Sequence, residues 1–131
     1  MVYAIKVVLA RLAFGLLLLI MNVGDSFSAD PIKAWEAYDS GDYTTALNIF
    51  NELAAQGDSS AQYNLGMMYA FGQGVDQNNA YAHMWWGFAA ISGDTDAASY
   101  RNFLAKDMSS DDINKSRELA RECTRKKYKG C

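Results

Sequence analysis

Little in this 131-residue chain is suited to metal or covalent chemistry. It holds one histidine and two cysteines, too few for a four-ligand zinc site of the Cys/His kind. A single proline among ten glycines excludes collagen-like and proline-rich disordered chains. Charge of one sign is scarce as well. The net charge of −3 offers nucleic acid no global attraction. The patterns Ser-x-x-Lys, Gly-x-Ser-x-Gly and His-Glu-x-x-His do not occur, so the common nucleophile and zinc-protease signatures are missing. No stretch alternates convincingly enough to read as a strand. What remains is a length that fits one domain and an apolar content of 50%, enough to build a helical core.

The one concentrated apolar run is Leu12–Met21, about half of the roughly 20 residues that a bilayer span needs. Lys6 and Arg11 precede it, and the small or polar stretch Asn22–Ala29 follows. That is the three-part plan of a secretory signal peptide, so residues 1–29 are expected to be a leader and residues 30–131 the working domain. Ser26 and Ser28 put small residues before a cleavage after Ser28; cleavage after Ala29 would place Phe27 at the less suitable position. The expected location is periplasmic or secreted, with no stable membrane insertion after cleavage. In an exported chain Cys123 and Cys131 are expected to pair, with Gly130 giving the backbone freedom to fold back. The remaining charge is lopsided. Residues 30–100 carry nine acids against one base, and residues 101–131 nine bases against five acids. The basic end reads either as a docking surface for an anionic partner or as a last helix whose cations suit its C-terminus.

Repetition carries the most information. A shift of 36 residues aligns Ala46 with Ala82, Phe50 with Trp86, Ala54 with Ala90, Gly57-Asp58 with Gly93-Asp94, and Ala61 with Ala97. That period suits one helix–turn–helix unit of a solenoid. Capping residues divide the chain further. Asp30-Pro31 opens a helix ending near Ser40-Gly41, and Asp42 opens another through about Gln56. A third runs from Asp58 or Ser59 to about Phe71, a fourth from Asn79 to Ser92, and a fifth over Thr95–Lys106. Ser109-x-x-Asp112 opens a sixth, through about Lys126. Gly72-Gln73-Gly74-Val75 is a turn and not a phosphate cradle, since neither a strand nor a lysine accompanies it.

The residues Ala61, Leu65, Gly66, Tyr69, Gly72, Gly74, Ala82, Trp85, Trp86, Ala89, Ala90 and Gly93 together resemble the Sel-one-like repeat, a branch of the tetratricopeptide-like superfamily. Upstream, Gly41-Asp42-Tyr43 with Ala46, Phe50 and Leu53 looks like the end of a tetratricopeptide unit. The resemblance covers about Trp35–Ala98. It implies an all-α, short right-handed α-solenoid of about two hairpins, and the last helix is similar to the polar capping helix that follows such arrays. It also implies a scaffold and not an enzyme.

Individual residues support that reading. Gly66 and Ala61 are small so that paired helices can approach within about 8–10 Å. Trp85 and Trp86 point about 100° apart, so at least one should be core. His83, alone among apolar neighbours, reads as a partly exposed helix residue rather than a metal ligand or general base. The acid pairs Asp94/Asp96 and Asp111/Asp112 stand at helix starts, where they act as caps. On the third helix Ala61, Leu65, Met68 and Tyr69 share one face, which leaves Tyr63 and Met67 as candidates for contact with a protein or peptide on a concave surface. No cofactor or metal is expected. The reading is therefore a non-enzymatic adaptor of the bacterial envelope or extracellular space. Its alternative is an envelope protein that binds or hydrolyses a cell-wall fragment or β-lactam, by analogy with cysteine-rich exported members whose cysteine pattern this chain lacks.

Overall fold

Each helix begins where a side-chain oxygen can hold an amide that has no partner inside the helix. Asp30, Asp42, Asp58, Asn78, Asp94 and Ser109 all serve in this way. In the computed structural model, which describes residues 28–131, they open α1 (Pro31–Asp39), α2 (Tyr43–Ala55), α3 (Ser59–Phe71), α4 (Asn79–Ile91), α5 (Thr95–Ala105) and α6 (Ser110–Arg125). Among the described residues there is no strand and no helix long and apolar enough to cross a membrane. Nearly all of the expected leader, residues 1–27, lies outside the described residues.

The 36-residue repeat recurs in individual hydrogen bonds. Gly57 (φ 88°) and Gly93 (φ 98°) both occupy the left-handed region that ends a helix. After each, the aspartate amide reaches back to a carbonyl at 3.1 Å, Leu53 in one case and Ala89 in the other. Each aspartate carboxylate then accepts from the amide three residues on, Ala61 or Ala97, at 2.8 Å. One two-residue device ends a helix and starts the next.

The hairpin α1–α2 stacks through α2 on the hairpin α3–α4, and α5 and α6 both pack on α4. The molecule is thus a short α-solenoid of two hairpins with a helical cap. Two apolar clusters hold it. Phe50, Leu65, Met68, Met84 and Trp85 belong to the larger one, and Ala82, Trp86, Ala89 and Ala97 form the smaller. The adjacent tryptophans feed one cluster each, so both are core. Trp86 lies so close to α3 that a Cβ on Gly66 would stand 2.4 Å from its ring. Its indole N–H donates to the Tyr63 carbonyl at 3.1 Å.

The turn after α3 does more than reverse the chain. Tyr38 donates its hydroxyl to Gln73 Oε1 at 2.8 Å, and Gln73 Nε2 donates to the Tyr43 hydroxyl at 3.4 Å. These bonds dock the turn on the first hairpin. Gly74 (φ 71°) passes so near α2 that a Cβ would stand 2.9 Å from the Tyr43 carbonyl oxygen.

Two details lie beyond the sequence pattern. Ala90, the counterpart of fully buried Ala54, is only half-buried, because α5 buries just Ala97 and so covers the end of α4 thinly. Cys123 and Cys131 are joined, with Cα atoms 5.4 Å apart, but Gly130 (φ 64°) does not supply the reversal alone. Lys127 (φ 52°) and Tyr128 (φ 62°) also sit in the left-handed region. Tyr128 is held there by its amide, which donates to the Cys123 carbonyl at 2.9 Å, and by its ring, edge-on to Phe88 at 5.0 Å.

Candidate functional site

Helix α3 spends one face on the core, where Ala61, Leu65 and Met68 are buried. Tyr63 and Met67 lie on its other flank, half-buried against the smaller cluster. Tyr63 meets Tyr100 of α5 edge-on at 5.9 Å, and Tyr100 in turn stacks on Trp86 at 5.4 Å. A continuous aromatic path therefore runs from the core to the surface of α3 and α5. Tyr100 is 41% exposed and Phe103, one turn further along α5, is 67% exposed. The Lys106 ammonium lies 5.9 Å from the centre of the Phe103 ring. Ser99, Tyr100, Asn102, Phe103 and Lys106 line a shallow open depression.

Electrostatics give this patch an acidic edge. Burial pushes the Tyr63 phenol above its ordinary range, with Tyr100, Asp96 and Asp94 acting in the same direction. The hydroxyl stays protonated at neutral pH and can donate. Tyr63 and Met67 thus fall where the helix pattern put them, although both are also used in packing. Tyr100 and Phe103 escaped sequence reasoning. Their signal was two aromatics at i and i+3 in a helix that is otherwise mostly polar.

His83 is a half-exposed helix residue, as read from the sequence, and it has one further contact. Its Nδ1 lies 2.8 Å from the hydroxyl of Ser116 on α6, which makes it a tie between helices as well as a half-exposed side chain. A histidine at this distance from a serine has the spacing of a base and its nucleophile. Ser116, however, is only 2% exposed, so a substrate carbonyl has no approach to its oxygen. Burial lowers the proton affinity of His83, and Arg101 and Arg117 lower it further. Both cysteines are consumed in the disulfide. Among the described residues no group of three or more His, Cys, Asp or Glu side chains is arranged to hold a metal ion.

The aspartate pairs stand where the caps require them. Asp94 caps α5. Ser109 and Asp112 close a reciprocal box at the start of α6, the serine hydroxyl donating to the carboxylate at 2.8 Å and accepting from the Asp112 amide at 3.1 Å.

The family model of the Sel1 repeat matches residues 59–94. That span starts at the first residue of α3 and ends on the aspartate that caps α5, one full period of the repeat. No curated protein matches the chain at a significant level.

Proposed function

We propose that this chain, a Sel1-like repeat protein, is a non-enzymatic adaptor that presents the α3–α5 surface to a protein or peptide partner. Sel1 repeats are typically interaction modules, which supports the general role. One observation supports the choice of surface: the aromatic path through Trp86 and Tyr63 reaches the surface at Tyr100, with exposed Phe103 one turn further along the same helix. Aromatic side chains rooted in a rigid core bind at little entropic cost, which is why they dominate contact energies. Met67 beside them adds an adaptable apolar contact.

We place the protein outside the cytoplasm, in the periplasm or the extracellular space. The disulfide supports that compartment, as does the composition of residues 1–29.

A photo-crosslinking amino acid at position 67 tests the surface in cells that make the protein. The expected result is a discrete cross-linked product from position 67 and none from Asn48, an exposed position on α2. Equal products from both positions would remove the α3–α5 surface from consideration. Steady turnover of a chromogenic β-lactam by the purified protein would replace the adaptor reading with the enzymatic one.

A further inference from the structure

The first helix of a stacked array needs a polar outer face if nothing lies beyond it. Helix α1 does not have one. Ile32, Trp35, Glu36 and Asp39 are all exposed and recur at intervals of three and four, which places them in one row along the helix. Ile32 is 67% exposed. Trp35 is fixed in place, since Tyr38 and Phe50 both hold its ring edge-on at 5.9 Å. A side chain positioned in advance loses little freedom when something covers it.

The other end of the stack offers a counterpart. Where α4 ends against α6, Phe88, Ile91 and Ala120 line a hollow of about 710 Å³ together with Arg121 and Arg125. Ile91 is 82% exposed there. The acids lining the hollow are Glu118 and Glu122, and Glu122 is taken by Lys126 at 2.7 Å. That is the ion pair found among the described residues, so Glu36, Asp39, Arg121 and Arg125 have no such partner there. The two surroundings are of opposite sign. Residues 30–58 hold six acids and one base, and residues 115–129 seven bases and two acids.

We propose that the α1 row of one molecule docks in the α4–α6 hollow of a second copy, so that copies stack head to tail. Ile32 and Trp35 cover Ile91, while Glu36 and Asp39 meet Arg121 and Arg125. Residues three or four apart on a helix are spaced by about 5–6 Å, so the acidic pair and the basic pair match. Tryptophan and arginine are also the residue types that most often dominate interface energies. The two faces differ and stand at opposite ends, α1 packed on α2 and α6 on α4. Each contact therefore leaves one face of either kind open, and the row of copies can grow. One helix in one hollow is a small interface, so the association is weak and depends on concentration. Neither face shares a residue with the α3–α5 surface, so either reading can fail without the other.

Sedimentation velocity of the natively expressed protein tests this. The weight-average mass should rise across the micromolar range, pass the value for a dimer, and fall back in high salt, which screens the charged pairs. Ile32→Glu and Arg121→Glu should each weaken association about tenfold. Both positions are exposed, and circular dichroism verifies that the variants keep their fold. Ile32→Glu retains its hollow and Arg121→Glu retains its α1 row, so an equimolar mixture should recover association and stop at the dimer. A monomer at every concentration would overturn the proposal and leave the α1 row to another protein or to residues 1–27 of the same chain. A dimer that both variants still form, or a mixture that stays monomeric, would overturn it as well.

Discussion

At the scale of single residues, Gly66 and His83 show how local rules are overruled by neighbours. Alanine in place of a helical glycine ordinarily stabilises, by about 1 kcal/mol. At position 66 the new methyl would press into the Trp86 ring, which the Tyr63 carbonyl and Tyr100 hold in place. Gly66→Ala should therefore destabilise, by about 1–3 kcal/mol as in other overpacked cores, measured by urea unfolding. Trp86→Ala removes the other partner and should cost about 3–5 kcal/mol; an unchanged denaturation midpoint would mean that Trp86 is not buried in solution. His83 adds a dependence on pH. Its folded proton affinity is lowered from the ordinary value of 6.5, so the unfolded chain takes up the proton first as pH falls. Stability is fully present above about 6.5 and declines as pH drops from there toward the folded value. Melting temperature between pH 7.5 and 5.5 should fall in the wild type and flatten in His83→Gln.

At the scale of elements, α6 and the tail behave as a lid on α4. The hydrophobic face of α6 is thin, with Ser116 and Cys123 its buried residues, so its attachment relies on specific ties. One is the His83–Ser116 bond, another the contact of Tyr128 with Phe88, and the third is the disulfide. Closing a loop of eight residues stabilises by about 2–3 kcal/mol on the chain-entropy model. Reduction should thus lower the melting temperature modestly and leave far-ultraviolet circular dichroism almost unchanged. The basic residues Arg125, Lys126, Lys127 and Lys129 would then fray, because their mutual repulsion is no longer held in check. A thiol assay that finds two reactive groups before reduction would show that the lock does not form.

For the whole molecule, the first described residues bear on processing. Ala29 is buried, 4% exposed, against the larger cluster, whereas Ser28 is exposed. A cut after Ala29 would take a core contact away, and a cut after Ser28 would keep it. If residues 1–28 are removed as a leader, the intact mass of the natively expressed protein should correspond to a chain that begins at Ala29. A mass beginning at Asp30 would mean that this contact is dispensable, and a full-length mass in the membrane fraction would mean that the leader is retained as an anchor. Beyond its start, the domain depends on stacking. Two hairpins and a cap bury two small clusters, so loss of one large aromatic is a sizeable fraction of a typical total stability of about 5–15 kcal/mol.

Sequence alone determined the helices and their junctions, because caps and helix-ending glycines act within a few residues of themselves. Asp58 reaches an amide three positions on, Gly57 needs only its own φ, and neither waits for the rest of the chain. The period of 36 was legible for the same reason, since it repeats a local device. The outward flank of α3 was legible too, because helical spacing fixes which residues share a face. Tertiary structure decided everything that joins distant residues. Spacing could not tell that Trp85 and Trp86 enter different clusters, that Gln73 binds Tyr38 and Tyr43, or that His83 meets Ser116 across 33 positions. It could not tell that Tyr100 and Phe103 extend the surface begun by Tyr63, since whether an aromatic on a polar helix is buried or exposed depends on what packs beside that helix.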